Sequence, residues 1–346
     1  MVVPGLEPVA ADEITRDLGG EVKRSEKGIV VFRVPEITPK VFQLRTVEDV
    51  FLLAWGTDSL SWKAGDLTKI RQWTANDADW ANLLRIHHSL RPKPSGKPTW
   101  HVVTQMIGEH GYRRVDARKS LFDGLEKHIP ESWRIVDENA ALEIWLTING
   151  KTAVCGVRLT DETMRHRTYK SEHRPASLRP SVAAAMVRLA AAGPDNVVLD
   201  PVCGAGTILA EQLHLSRSRR MEVTAIGGDI EWGAVSSAGV NLRRHAFLSR
   251  WDAQDLPLAD QSVDRIIANP PFGKQLGDPA EIPDLYHHVV WECDRVLKPD
   301  GRATFLVAEQ NWLAAATNRV GWSSQRQLRV RVLGQLATLS VWRKPA

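Results

Sequence analysis

The residues best suited to chemistry stand together at Asn269-Pro270-Pro271-Phe272. They close an apolar run, Val263–Asn269, that reads as a strand, so they would be delivered at its carboxyl end, where open α/β sheets bind ligands. The set suits transfer to an exocyclic amine. Such a nitrogen is a poor nucleophile because its lone pair is delocalised into the ring. The Asn269 side-chain oxygen and the Pro270 carbonyl can each accept an N–H hydrogen bond and turn that lone pair toward an electrophile. Phe272 offers a face on which a base stacks, and Pro271 stiffens the loop so that both acceptors are placed beforehand. Catalysis of this kind is positioning plus electrostatics, with no obligatory strong general base.

A second constellation lies upstream. Asp200-Pro-Val-Cys203-Gly204-Ala-Gly206-Thr207 follows a short apolar strand and opens a helix. Gly204 and Gly206 let the backbone turn sharply and approach a ligand, and the helix start offers free amides. A dinucleotide fingerprint wants a third glycine where this chain has Leu209, which argues against a pyrophosphate loop and a nicotinamide oxidoreductase. Asp200 can hold the charged amino group of an amino-acid-like ligand. Asp229 lies 23 residues after Gly206, where a doubly wound fold puts an acid on a ribose; the alternative is a helix cap. Ile230 follows it, and Asp252-Ala253 is placed to receive an adenine ring. Ribose, base and charged tail together fit S-adenosylmethionine better than NAD.

Other chemistry is discounted. His87-His88 and His287-His288 are adjacent pairs that do not share a helix face, so no metal site is read. Cys203 lacks a base partner and reads as a small filler. Three cysteines make no disulfide framework, and a reducing compartment is expected. Thirteen tryptophans divide seven before Ile148 and six after, so they mark no single stacking surface; Trp100 and Trp251 are the candidates for exposure.

The elements that must position these residues alternate. Strands are expected at Asn196–Asp200, Val223–Ile230, Val263–Asn269 and Ala303–Ala308, with helices at Ser181–Ala192, Thr207–His214, Glu231–Arg244 and Pro283–Val296. Ser181 is expected to cap the first of these helices. Gln327–Leu333 and Leu336–Trp342 form a closing pair, one of them an antiparallel edge strand. The pattern predicts a mostly parallel sheet covered on both faces. Upstream, Gly28–Val34 is an apolar run and Val47–Ala54 a helical pattern, a small α+β unit. Trp80–Leu90 and Lys119–His128 read as helices and Thr99–Met106 as a strand. Ala141–Ile148 and Ala153–Leu159 pair around the hairpin turn Asn149-Gly150. Thr160–Arg179, poor in apolar residues, reads as an extended linker.

With 346 residues, 43% hydrophobic and 25% charged, the chain can bury a sizeable core in two or three domains. No signal peptide or membrane span is read, so a cytoplasmic protein is expected. The net charge of +4 conceals its distribution. Between Arg85 and Lys119 eight basic residues face two acids, and between Met164 and Arg179 five face one. Candidate phosphate contacts are Lys93, Lys97, Arg113, Arg114, Arg118, Lys119, Arg165, Arg167, Lys170, Arg174 and, after the tetrapeptide, Lys274.

Residues 176–346 resemble a class I S-adenosylmethionine-dependent methyltransferase, on the Asp200 loop and the Asn269 tetrapeptide. His173-Arg-Pro-Ala-Ser-Leu178-Arg-Pro180 and the opening Pro4-Gly-Leu-Glu7 followed by Asp12-Glu-Ile resemble THUMP-domain RNA methyltransferases. The resemblance implies an N-terminal ferredoxin-like domain at 1–55, a THUMP RNA-binding domain at 56–160, a linker at 161–180 and a Rossmann-like catalytic domain with a seven-stranded sheet at 181–346. It implies cofactor contacts from Leu178, Pro180, Asp200, Cys203, Gly204, Gly206, Thr207, Asp229, Ile230, Asp252, Ala253 and Asn269. It further implies methylation of guanine N2 in transfer RNA, at position 6 of the acceptor stem. Related D-stem enzymes usually carry Asp in place of Asn269. Flipping of the base would be required, since a paired guanine hides its amine. A monomer acting on transfer RNA, without metal or membrane, is expected. The alternatives are another RNA guanine (D-stem, ribosomal or small nuclear RNA), adenine N6 in DNA, a protein glutamine, or an RNA-binding scaffold whose catalysis has decayed.

Overall fold

The computed structural model describes residues 1–91, 96–172, 174, 177–271, 282–332 and 334–346. These form two compact units. Met1, 34–43 and 49–162 make the first; 2–33, 44–48 and 163–346 make the second. The chain thus enters the second unit, leaves it, and returns. The expected boundary at residue 55 is not where the contacts divide, because most of the segment before it belongs with the residues after 162.

The entering segment consists of α1 (Glu7–Leu18) and an antiparallel ribbon of β1 (Glu21–Glu26) and β2 (Ile29–Arg33). Helix α1 ends at Gly19, whose φ of 63° suits a residue without a side chain. Its buried Val9, with Val3 and Leu6, joins a core shared with strand residues of the second half of the chain, Val198, Ile267 and Leu306 among them.

The first unit is built on β3 (Phe51–Thr57), α2 (Gly65–Asn76), α3 (Trp80–Leu90), β4 (Thr99–Ile107), α4 (Arg114–Leu125), β5 (Arg134–Ile135), β6 (Leu142–Asn149) and β7 (Thr152–Arg158). The sheet order is β3-β7-β6-β4-β5, with β4 parallel to β6. The Asn149-Gly150 hairpin is present. The helix expected at Val47–Ala54 is instead β3. Its Leu52 and Trp55 are buried against β7, and a short apolar run of this kind cannot be assigned by periodicity alone. Trp100 is buried too, stacked on Phe122, and is not an exposed platform.

In the second unit α5 (Pro180–Ala190) leads to β8 (Asn196–Asp200), α6 (Thr207–Ser218), β9 (Val223–Asp229), α7 (Trp232–Leu242), β10 (Phe247–Arg250), β11 (Val263–Ala268), α8 (Ile282–Val296), β12 (Leu297–Val307), α9 (Gln310–Arg319), β13 (Ser323–Val332) and β14 (Gln335–Arg343). The sheet order is β10-β9-β8-β11-β12-β14-β13. Strands β10 to β12 are mutually parallel and β14 is antiparallel to both neighbours, so the antiparallel strand lies one position in from the edge, not at it. β10 and α9 went unread in the sequence: β10 has four residues and an exposed Phe247, and α9 is short. Ser181 does not cap α5. It sits inside the first turn with its hydroxyl toward Glu48, and Pro180 opens the helix. Among the described residues no helix is long and apolar enough to cross a membrane.

Candidate functional site

The strand order reverses between β8 and β11, which pair through Arg265–Val198 and Ile266–Leu199. That reversal is where open α/β sheets leave a crevice at the carboxyl edge. The two strands carry Asp200 and Asn269 to that edge side by side.

The Asp200 loop is braced from β9. Cys203 N donates to Gly228 O at 2.8 Å, and Gly204 N to the Asp229 carboxylate at 2.9 Å. The other Asp229 oxygen accepts from Glu231 N at 3.1 Å, so this acid ties two loops together and keeps lone pairs for a hydroxyl. Gly204 and Gly206 both have positive φ, 53° and 77°. A Cβ at Gly204 would meet nothing within 4 Å, whereas one at Gly206 would stand 2.9 Å from Leu242. The first glycine thus faces open space and the second a packed helix. Leu209 fills the place beneath the loop: a Cβ at Gly227 would lie 2.5 Å from it. Thr207 is buried at the start of α6, where the first-turn amides lack intrahelical acceptors.

Asp200 is buried and accepts one hydrogen bond, from Val202 N at 3.2 Å. Desolvation, with the Asp229 charge adding to it, pushes its carboxyl well above the ordinary range. Among the described residues no cation pairs with this acid, which is the chemistry of a site for an ammonium group. Burial likewise pushes the Cys203 thiol up, so it is no nucleophile. Past β9, Ile230 is 59% exposed, an apolar face beside Asp229. Trp251 is buried, not exposed: its indole donates to Pro201 O at 2.9 Å and its ring occupies the space a Cβ at Gly228 would need. Asp252 is exposed and accepts from Gln254 N, and Ala253 is buried. Leu178 and Pro180 are also buried, Leu178 in the core under α5, so its side chain packs rather than facing a ligand.

At the end of β11, Pro270 is buried while Asn269 and Pro271 are half-buried. Asn269 Oδ1 is buried and has no hydrogen-bond partner among the described residues. A shielded acceptor left open costs roughly 1–3 kcal/mol, so it marks a place where a donor is expected to arrive. The sequence reading missed Tyr286. Its hydroxyl donates to the Pro271 carbonyl at 3.3 Å from α8, and it is 2% exposed. The neighbouring pair His287-His288 drew the attention that Tyr286 warranted; nothing in its own spacing marked it. Phe272 and Lys274 lie outside the described residues, as does Lys93.

The basic residues divide. Lys97, Arg113, Arg114, Arg118 and Lys119 are exposed, the last four on or next to α4, and Arg165 is exposed. Arg113 and Lys119 pair with Asp116 and Asp123, exposed contacts that are weak and that a phosphate can displace. Three residues of the expected linker are otherwise engaged. Arg167 is buried, donates to Arg45 O at 2.9 Å and faces Glu211, which also takes Arg45 and the Tyr169 hydroxyl. Lys170 Nζ donates to Leu178 O at 2.9 Å, and Arg174 pairs with Glu231. Arg167 is therefore a structural cation, not a phosphate contact. Lys170 and Arg174 hold the approach to α5 and the start of α7. The apolar-poor composition of this segment reflects a buried ionic network rather than a free linker. No cluster of metal-ligating side chains occurs among the described residues.

Residues 167–338 match the family model UPF0020, described as "RMKL-like, methyltransferase domain". This segment is similar to UPF0020 methyltransferase domains. A crystal structure of TrmN from Thermus thermophilus shares the fold, with a TM-score of 0.76, 24% identity and 99% of this chain and 98% of that one covered. The segment thus has a Rossmann-like α/β fold. The bovine tRNA (guanine(6)-N(2))-methyltransferase THUMP3 is 29% identical over 242 residues, covering 64% of this chain and 46% of that one. The tRNA (guanine(10)-N2)-dimethyltransferase of Methanothermobacter thermautotrophicus is 37% identical over 207 residues, 58% of this chain and 55% of that one. The chain spans about half the length of the curated mammalian relatives it matches.

Proposed function

We propose that this chain transfers a methyl group from S-adenosylmethionine to the exocyclic N2 of a guanine in transfer RNA. The observation that carries the reading is the open, shielded Asn269 Oδ1 beside the Pro270 carbonyl, at the carboxyl edge next to the Asp200 loop. The cofactor suits the residues present: Asp200 would take its ammonium, Asp229 its ribose, and Ile230 with Asp252 and Ala253 its adenine. When bound it supplies an electrophilic methyl group on a sulfonium.

The chain's own residues then handle the amine. Asn269 Oδ1 and the Pro270 carbonyl accept the two N–H groups and hold the nitrogen with its lone pair directed away from the ring. As positive charge develops on the nitrogen, both acceptors stabilise it, an electrostatic contribution of the preorganised kind. No strong base is needed, because the attached protons become acidic once the nitrogen is alkylated. Tyr286 fixes the Pro271 carbonyl and so the loop that carries the acceptors. Tyr286→Phe is expected to lower kcat several-fold with cofactor affinity unchanged; equal kcat in the two proteins would remove Tyr286 from the machinery.

The first unit is the RNA-docking module in this reading, THUMP-like, with the α4 cations as its phosphate contacts. Replacing Arg113 and Arg114 together by glutamate should weaken RNA binding and flatten its dependence on salt by up to about two units of slope. An unaltered slope, measured by titration between low and physiological salt, would return this patch to plain surface.

Guanine 6 is the position favoured by the similarity to the bovine enzyme and by Asn269. A second reading, guanine 10, is favoured by the higher identity to the archaeal protein. A soluble cytoplasmic monomer is the state proposed. Incubation with labelled S-adenosylmethionine and unmodified transfer RNAs, digestion to nucleosides and mapping of the label tests all of this. Label in N2-methylguanosine at position 6 is expected. Label in another nucleoside, or none over a complete transfer-RNA set, would overturn the reading.

A further inference from the structure

Gln310 opens α9, immediately after β12. β12 is the parallel neighbour of β11, paired through Ala268–Phe305, so the two strands end side by side. The ends are also linked through a side chain. The Tyr286 hydroxyl that donates to Pro271 O lies close enough to the Glu309 carboxylate for that charge to raise its pKa, second to burial. Gln310 follows Glu309 directly. Both polar atoms of its amide, Nε2 and Oε1, are buried, and neither has a partner among the described residues.

An amide with donor and acceptor both shielded and both open is costly to maintain. Its atoms are shielded from solvent, and no group among the described residues satisfies it. Asn269 Oδ1, at the end of the next strand, is open in the same way. The two side chains offer complementary functions to one planar ligand. The open Asn269 Oδ1 and the Pro270 carbonyl are acceptors. Gln310 offers one acceptor and one donor, spaced for a bidentate contact with a base edge.

We infer that Gln310 reads the Watson–Crick edge of the target base, its Oε1 accepting from guanine N1–H and its Nε2 donating to guanine O6, while Asn269 and Pro270 hold N2. The inference rests on the guanine-N2 reading above and adds to it the residue that selects guanine among bases bearing the same amine. It makes Gln310 a base-reading residue, not a participant in methyl transfer.

The test uses the full chain and the transfer-RNA transcript whose target position the wild-type protein has defined. A second transcript, assembled by ligation, carries 2-aminopurine at that position. This base keeps the exocyclic amine but lacks O6 and N1–H. Wild-type protein is expected to methylate the guanine transcript with kcat/KM about 10- to 100-fold above that for the 2-aminopurine transcript, the range of one bidentate base contact. Gln310→Ala and the near-isosteric Gln310→Met should lose most of that ratio, chiefly through a lower rate on guanine, with S-adenosylmethionine affinity within a few-fold of wild type. Gln310→Glu, which keeps an acceptor and loses the donor, should fall between. A guanine preference unchanged in Gln310→Ala or Gln310→Met overturns the inference and leaves the guanine-N2 reading standing. Failure of the wild-type protein to form N2-methylguanosine on any transcript overturns both, and is seen before any variant is made. A structural role alone would lower both rates together and leave the ratio intact, which also counts against the inference.

Discussion

Asn269→Ala should lower methyl transfer by about 10²- to 10³-fold while cofactor affinity stays within a few-fold of wild type. The size follows from what one preorganised acceptor or donor contributes at a reacting centre. Asn269 Oδ1 is already shielded and unpaired, so no hydrogen bond must be broken before it accepts the incoming N–H. Truncation removes that acceptor and leaves the Pro270 carbonyl, a rigid backbone group, in place. One of two restraints on the amine remains, and its lone pair is free to return to conjugation. Single-turnover rates with saturating RNA, alongside calorimetric titration of S-adenosylmethionine, separate the two quantities. A loss of cofactor binding as large as the loss of rate would contradict the role assigned to Asn269. Asn269→Asp keeps the acceptor and adds charge, and should be far less damaging than alanine.

The second large effect belongs to Asp200. Asp200→Asn should weaken S-adenosylmethionine binding roughly 100-fold or more, the scale of losing one member of a buried charge pair. The same change should raise the thermal transition of the cofactor-free protein. The sign follows from the raised carboxyl pKa. In the unfolded chain this acid ionises in the ordinary range, and in the folded chain only at higher pH. Folding therefore takes up a proton between the two values, and the contribution of Asp200 to stability is present below the ordinary value and lost as pH rises through the folded one. Asparagine has no charge to desolvate and escapes that loss. Binding has the opposite pH dependence. An ammonium group favours the carboxylate, so the complex holds fewer protons and cofactor affinity rises with pH over the same interval. Calorimetry across that range should show proton release for the wild type and none for Asp200→Asn. Flat affinity in the wild type would mean that Asp200 does not meet the cofactor's charge.

The legible part of the molecule was the part written in local spacing. Asp200, Gly204, Gly206 and Asp229 stand within 30 residues, each at a strand end or helix start, and the turn chemistry that demands such residues is local. Asn269-Pro270-Pro271 was legible for the same reason. What was not legible depends on partners distant in the chain. Arg167 looked like a phosphate contact because its neighbours are basic. Its burial is decided by Glu211, on a helix 44 residues later. Trp100 and Trp251 owe their burial to Phe122 and to the space over Gly228. The Val47–Ala54 pattern satisfied a helical period and became a strand because β7, a hundred residues on, supplied the ladder. Tyr286 is likewise invisible in sequence, since its contact is with the loop that β11 delivers.

The entering segment carries a consequence for synthesis. Pro4 accepts a backbone hydrogen bond from Arg331 at 3.1 Å, and Gly5 packs against the backbone of Arg329 so closely that a side chain there would overlap it. Glu13, on α1, takes Arg188 from α5. These partners leave the ribosome long after the segment itself. At roughly 5–20 residues per second, α1 waits on the order of 15–60 s for β13. During that interval Val3, Leu6 and Val9 have no core to enter, while the first unit, complete at residue 162, can already fold. A nascent chain of this protein should therefore pass through a stage in which the first unit is formed and helix α1 is still exposed, a natural hold point for chaperones that recognise short apolar stretches.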